Sequence, residues 1–324
     1  MKDSPLDVAS VSELAKRIAA SAGVAFRGKP EVIEQMLVAL FASGHVLIED
    51  VPGTGKTVLA KAIARSLNSS FSRIQCTPDL MPADVTGSFI FSPKTQKFRF
   101  RKGPILSALV LVDELNRATP RTQSALLEAM AESQVSIDGH CFPLPEPFFL
   151  IATENPIESE GTFPLPEAQK DRFMLSLTPG YPDAADEALI IESHRRMDNP
   201  VEDIVAVASS AEILECRAKV VQVYVEASLR DYLVAVSRAT RKDPHVEVGI
   251  SPRGSIALYK AAQALAAIRG RNYVIPEDIK EMVLPVFRKR LIIKPEFQMS
   301  GYTSDSIITE MLTSIPLPAF KERS

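Results

Sequence analysis

Val46-Leu47-Ile48-Glu49-Asp50-Val51-Pro52-Gly53-Thr54-Gly55-Lys56-Thr57 is the stretch around which the rest of this chain is organised. Val46, Leu47 and Ile48 form an apolar run that reads as a buried strand. A glycine-bearing loop follows. Behind Lys56-Thr57, the residues Val58, Leu59, Ala60, Ala62, Ile63, Ala64 and Leu67 supply the apolar side of a helix. Strand, loop and helix together make a phosphate cradle, with loop and helix-start N–H groups aimed at an anion. Within it Pro52, Gly53, Thr54, Gly55, Lys56, Thr57 and Val58 are the expected nucleotide contacts. Lys56 reaches the β- and γ-phosphates and the Thr57 hydroxyl ligates Mg²⁺. Asp50 stands where the pattern G-x-x-x-x-G-K-[ST] has its first glycine. The bland alternative is a surface turn with a stray lysine, which the flanking strand and helix oppose.

Bulk properties narrow the classes. The chain has 324 residues, enough for one large or two ordinary domains. It is 46% hydrophobic and 24% charged, as soluble globular proteins are. A net charge of −3 gives no general attraction to nucleic acid or anionic membrane. There is no apolar run long enough to span a bilayer, and Met1-Lys2-Asp3-Ser4-Pro5 lacks a signal-peptide layout. Cys76, Cys141 and Cys216 are odd in number and far apart, which opposes a disulfide framework or zinc site and fits a reducing cytoplasm. The absence of Trp leaves little for base stacking.

Upstream of the loop, residues 6–22 and 30–42 carry helical apolar spacing. The connection Phe26–Lys29 is a candidate to lie over an adenine, or else a plain helix–helix link. Downstream, Phe71–Cys76 alternates like a strand. Gly87–Phe91 and Gln96–Arg101 are expected to pair as a hairpin around Ser92–Thr95. The mixture of cations and aromatics at Lys97–Lys102 is compatible with a nucleic-acid contact, or with a hairpin facing partner subunits or a protein substrate.

Leu109-Val110-Leu111-Val112-Asp113-Glu114 is the second chemical signal. A buried strand ends in two acids, at the end where open α/β sheets bind ligands. Asp113 is the expected Mg²⁺ holder and Glu114 the expected activator of the attacking water. Alone the pair would be a solvated strand end; after a phosphate loop it is specific. Thr119-Pro120 reads as N-cap and first turn of a helix running to about Glu132. Asp138-Gly139, between Val135–Ile137 and His140–Phe142, is a hairpin signal. Phe148–Ala152 is a further buried strand, and Asn155 beyond it is placed to sense the γ-phosphate, unless it is an ordinary turn residue before Pro156. Arg172 is either an arginine finger or a salt-bridge partner of Asp171 or Glu167. Past Pro182 the composition turns helical, with helices read at 184–196 and near 226–241, 252–269 and 276–290. Ser251-Pro252 starts one of them and puts Arg253 in its first turn, against the helix dipole. Arg253 therefore reaches either nucleotide phosphates or an acid in the adjacent bundle.

In order, these motifs resemble the MoxR family of AAA+ ATPases. The likeness rests on Val51–Thr57, Gln75 with Thr77-Pro78-Asp79-Leu80-Met81-Pro82, Phe98-Arg99-Phe100, Asp113–Ala118, Gln123–Met130, Ala152–Pro156, Leu165–Gln169, Asp171-Arg172-Phe173 and Ser251–Gly254. It implies an α/β fold: an AAA+ domain over residues 1–195, with a parallel sheet between helices and β-hairpin insertions, and an all-helical lid over 196–324. It implies ATP and Mg²⁺ as cofactors, hexameric rings with ATP at subunit interfaces, Lys56 and Thr57 as Walker A, Asp113 and Glu114 as Walker B, Asn155 as sensor 1, Arg172 as a finger acting in trans and Arg253 as sensor 2. The catalytic set is then Lys56, Glu114, Asn155 and Arg172. Lys170, where such proteins more often have an apolar residue, and Arg117 compete with Arg172 for the trans role. Asp50 is a familiar variation in the family. Similar proteins act as chaperones on protein complexes, often with a partner bearing a von Willebrand factor A domain. A nucleic-acid motor or loader is the alternative function, and a P-loop kinase a third class.

Overall fold

Burial dictates the centre of the molecule: the strand residues in which apolar side chains run without interruption are the ones covered on both faces. A computed structural model describes residues 7–51, 53–155, 161–193 and 200–317. Helices α1 (Ala9–Ala22) and α2 (Pro30–Phe41) precede β1 (Val46–Glu49), and α3 (Lys56–Ser66) follows the phosphate loop. Next come β2 (Phe71–Gln75), the short α4 (Pro82–Thr86), the hairpin β3 (Gly87–Ser92) and β4 (Lys97–Lys102), and β5 (Leu109–Asp113). Helix α5 (Pro120–Glu132), a second hairpin of β6 (Gln134–Ile137) and β7 (His140–Pro143), β8 (Phe149–Glu154), α6 (Glu167–Lys170) and β9 (Leu175–Leu177) complete the α/β part.

The sheet order is β2-β5-β8-β1-β9, with every pairing parallel. All strands therefore end on one side, and the loops there carry Asp50, Asp113 and Asn155. One apolar cluster fills the sheet face under α1, α2, α3 and the C-terminal helices, and contains Ile48, Leu59, Ile63, Leu111 and Leu265. A second fills the other face under α5 and both hairpins, with Leu47, Val112 and Leu126 among its members and Phe142 packed against it. The hairpin expected at Asp138-Gly139 forms because both residues sit at positive φ, 48° and 79°, as a two-residue turn matching strand twist requires.

The C-terminal part is helical: α7 (Ala184–Ser193), α8 (Ser210–Val220), α9 (Ala227–Thr240), α10 (Pro252–Ile268), α11 (Pro276–Phe287), α12 (Pro295–Met299) and α13 (Ser304–Ser314), with a short antiparallel pair β10 (Val246–Val248) and β11 (Ile292–Ile293). Ser251 caps α10, accepting the Gly254 N–H, with Pro252 at N1 as its sequence predicts. The helix read at 184–196 is described only to Ser193, and the break at Asn199 lies outside the described residues. Several short or C-terminal elements escape the sequence reading, among them α4, β9, α8, β10, β11, α12 and α13. Helix α8 is signalled after all by a capping box, Ser209 with Glu212, and by buried Ile213, Cys216 and Val220.

Candidate active site

The loop between β1 and α3 forms as its glycines allow. Gly53 and Gly55 have φ of 88° and 80°, a region closed to most side chains, and Gly55 is the N-cap of α3. Pro52 lies outside the described residues. Lys56 extends back along the loop and donates to the Asp50 and Val51 carbonyls at 2.6 and 2.9 Å. Burial lowers its pKa, while Asp50, Asp113 and Glu114 pull it back up. Its ammonium is thus held among carbonyl and carboxylate oxygens at the mouth of the loop. Thr54 is buried and its hydroxyl donates to the Val51 carbonyl at 3.2 Å.

Asp50 explains itself once its partners are visible. Its Oδ1 accepts the Val51 N–H at 2.8 Å and its Oδ2 accepts the Gly180 N–H at 2.6 Å. The carboxylate ties the loop to the segment after β9, which a glycine there has no atoms to do. Beside this tie a cavity of about 290 Å³ opens, lined by Phe26, Lys29, Gly55, Val58, Gly180 and Ile190. A Cβ on Gly55 would stand 3.4 Å from the Phe26 ring, so the ring lies against the loop itself.

The two acids at the end of β5 reach the same place. Thr57 Oγ1 donates to Asp113 Oδ2 at 3.3 Å, and Thr153 Oγ1 donates to Asp113 Oδ1 at 2.6 Å. Glu114 has φ of 57°, the left-handed region, which non-glycine residues rarely adopt outside special sites. Its N–H donates to Thr153 Oγ1 at 2.9 Å, and its carboxylate accepts from Gln75 at 2.9 Å and Arg117 at 3.0 Å. Asn155 is buried at the end of β8, and its carbonyl accepts from Asn116 at 3.5 Å.

Arg172 and Arg253 are not brought into hydrogen-bond contact with this cluster. Arg172 donates to the Leu127 carbonyl at 2.7 Å, beside Glu128 and Glu132 in a pocket of about 180 Å³. Neither of the acids that would neutralise it within its own segment does so. Asp171 pairs with Arg290 and accepts from Ser251, and Glu167 pairs with Lys170. Arg117 is likewise engaged, by Glu114. Arg253 is exposed on the first turn of α10 and, among the described residues, makes no ion pair, so the acid expected in the adjacent bundle is not there.

Comparison with known proteins assigns this arrangement. Residues 45–175 match the family of ATPases associated with various cellular activities, and residues 238–311 match the AAA lid domain. The chain is 40% identical to Chaperone MoxR1 of Mycobacterium tuberculosis over 90% of this chain and 79% of that protein. It is 30% identical to Protein MoxR of Paracoccus denitrificans over 90% of this chain and 93% of that one. It belongs to the MoxR family of AAA+ ATPases. The chain is also 45% identical to the protein YeaC of Bacillus subtilis, over 90% of this chain and 91% of that one. A solved structure from Cytophaga hutchinsonii, described as a candidate ATPase, superposes with a TM-score of 0.90 at 34% identity, covering 96% of this chain and 97% of that one. Nucleotide binding follows from MoxR and AAA+ membership, and AAA+ proteins commonly form oligomeric rings. No helix among the described residues is long and apolar enough to cross a membrane.

A divalent cation fits the oxygen donors of this MoxR-family site. Thr57 Oγ1 and Asp113 Oδ2 lie within 3.3 Å of each other and face the loop mouth. Mg²⁺ favours such a pairing, one or two protein oxygens with the rest of its shell from phosphates and water. Among the described residues there is no cluster of His, Cys, Asp and Glu to make a self-sufficient cage. Three partners here were quoted in the sequence only as motif letters or passed over: Arg73, Gln75 and Thr153. Arg73 and Gln75 both face outward along β2, and the clue was polar residues at alternate positions of a strand beside Asp113.

Proposed function

We propose that the chain hydrolyses ATP to ADP and phosphate and uses the cycle to remodel or mature protein complexes. The observation that carries this reading is the convergence of Lys56, Thr57, Asp113 and Glu114 at the ends of β1 and β5. Lys56 leaves its two carbonyls for the β- and γ-phosphates, and Gly53, Thr54, Gly55 and Val58 line the phosphate path. Phe26 and the cavity beside Gly55 take the adenine, which needs an apolar slot of that kind. Thr57 and Asp113 hold Mg²⁺, which when bound offsets the charge of the phosphates. Glu114 accepts a proton from the attacking water, and Asn155 orients that water against the γ-phosphate.

Arg172, which makes no ion pair among the described residues, serves a neighbouring subunit's phosphate in a hexameric ring, and Arg253 contacts nucleotide from the lid. Lys170 and Arg117, both already ion-paired, are the weaker trans candidates. The division into a core of 1–195 and a lid of 196–324 belongs to the same proposal, its boundary falling outside the described residues. So does a cytoplasmic location. The client is a protein, in keeping with the chaperone name of one relative, with a von Willebrand factor A domain protein as the candidate partner.

The test is a phosphate-release assay. Lys56→Ala and Glu114→Gln are expected to lose roughly 10²- to 10⁴-fold in turnover, with ATP binding kept in Glu114→Gln. Parental turnover in Glu114→Gln would remove Glu114 from the mechanism. Mixed rings of Arg172→Ala and Lys56→Ala subunits regain activity only if Arg172 acts in trans. Phosphate release without an acceptor excludes a kinase. One observation favours the nucleic-acid reading: Lys97, Arg99 and Arg101 are exposed on β4 and none is ion-paired among the described residues. Strong, salt-sensitive stimulation by DNA would support it.

A further inference from the structure

Asp113 is a nearly buried carboxylate with both oxygens engaged, and a cation already sits on one of them. Arg73 donates to its Oδ2 twice, from Nε at 3.1 Å and from Nη2 at 2.7 Å. The same Nη2 donates to Gln75 Oε1 at 2.7 Å. Oδ1 is occupied by the Thr153 hydroxyl, so Oδ2 is the oxygen that Thr57 and any divalent cation must share. We propose that Arg73 is the built-in counter-ion of Asp113 and sets the Mg²⁺ affinity of the site by competing for that oxygen.

The positions of the two groups make the exchange feasible. The Asp113 side chain is 10% exposed and lies 2.7 Å from the Arg73 guanidinium, so the pair is held at the strand end with little water on the carboxylate. The Arg73 side chain is 43% exposed on an edge strand, so it can swing into water at little cost. A guanidinium and a divalent cation on one oxygen repel each other, and the mobile partner is the arginine. Arg73 thus holds the Asp113 carboxylate in place between turnovers and would have to leave Oδ2 for a divalent cation to share it. This rests on the proposed role of Thr57 and Asp113 in holding Mg²⁺.

The sign of the effect separates competition from a merely structural ion pair. The full-length protein is saturated with a fluorescent N-methylanthraniloyl derivative of ADP and Mg²⁺ is titrated in. Arg73→Gln is expected to lower the half-saturating Mg²⁺ concentration about two- to fivefold, the range of a partly exposed ion pair. Arg73→Lys, which keeps the charge but loses the fork, falls between. Affinity for the ADP derivative without Mg²⁺ stays unchanged. A raised or unaltered Mg²⁺ midpoint in Arg73→Gln overturns the proposal. So does a weakened Mg²⁺-free affinity, which would make Arg73 a nucleotide ligand. Asp113→Asn must raise the midpoint; if it does not, the reading of Asp113 fails before that of Arg73.

Discussion

Asp50 shows how a departure from a motif becomes legible through its contacts. The carboxylate is 5% exposed and accepts two backbone N–H groups, one in the loop and one across it at Gly180. Hydrogen bonds to a charged group contribute about 1.5–3 kcal/mol each when buried. Asp50→Gly restores the missing motif glycine yet loses both bonds and is expected to destabilise the protein by roughly 3 kcal/mol or more. It should also raise the KM for ATP, because Gly180 forms part of the cavity wall beside Gly55. A thermal melt and a steady-state ATPase assay would check both, and an unchanged KM would mean that the loop holds its shape without the tie. Cys76, by contrast, carries no chemistry: burial pushes its thiol up to about 12, so it stays protonated and unreactive.

At the scale of elements, the two hairpins brace one another. Phe100 of β4 stacks on Phe142 of β7 with ring centroids 4.2 Å apart, and Phe89 of β3 lies 5.5 Å from Phe100. Toward the tip, Phe91 and Phe98 lie against each other with ring centroids 5.5 Å apart, and Phe98 is 69% exposed. The base is therefore anchored while the tip stands in solvent. Phe100→Ala is expected to cost about 1–3 kcal/mol, less than a fully buried Phe because its surroundings are only partly closed. Phe98→Ala should stay within about 0.5 kcal/mol, as surface changes do. Chemical denaturation of both variants measures the contrast; equal losses would show that the tip packs as firmly as the base. Large exposed aromatics on an anchored ribbon suit contact with a partner better than they suit a free edge.

The whole molecule is held together where the lid meets the strand ends. Three successive residues after α11 do this. Arg288 bonds Asp305 and, at 3.1 Å, the Thr178 hydroxyl. Lys289 pairs with Glu49 at the end of β1. Buried Arg290 bonds Asp171 at 2.7 Å and the Met174 carbonyl at 3.0 Å. Asp171 also accepts from Ser251, the cap of α10, so the segment bearing Arg172 and the helix bearing Arg253 are fastened to one node. Beside Lys289, Glu154 stands across from Glu49 in the β1–β8 register. Burial, then the charge of Glu49, pushes the Glu154 carboxyl up to about 7 from 4.5. The folded chain thus binds a proton that the unfolded chain releases near 4.5. The stability this contributes is complete below that value and lost as pH rises through about 7, at about 1.4 kcal/mol per unit of displacement. The melting temperature is expected to fall from pH 5.5 to pH 8 more steeply in the parent than in Glu154→Gln. Equal slopes would locate the proton elsewhere.

What the sequence by itself determined is whatever depends on neighbours along the chain. The loop Gly53–Thr57, the strand ending in Asp113-Glu114, the Asp138-Gly139 turn and the cap Ser251-Pro252 each follow from local backbone preferences and apolar period. They were enough to name the fold and the family. Short elements such as β9 lay below the length at which periodicity speaks, and α8 is signalled by its cap and by the spacing of Ile213, Cys216 and Val220. The tertiary structure alone decided which charges meet. Arg73 and Asp113 are 40 residues apart, Glu49 and Lys289 are far more distant, and Asp50 reaches a backbone N–H 130 residues on. Such partnerships depend on strand order and on the docking of the lid, which no local pattern encodes. They also decide that the two acids nearest Arg172 in sequence, Glu167 and Asp171, are taken by Lys170 and Arg290.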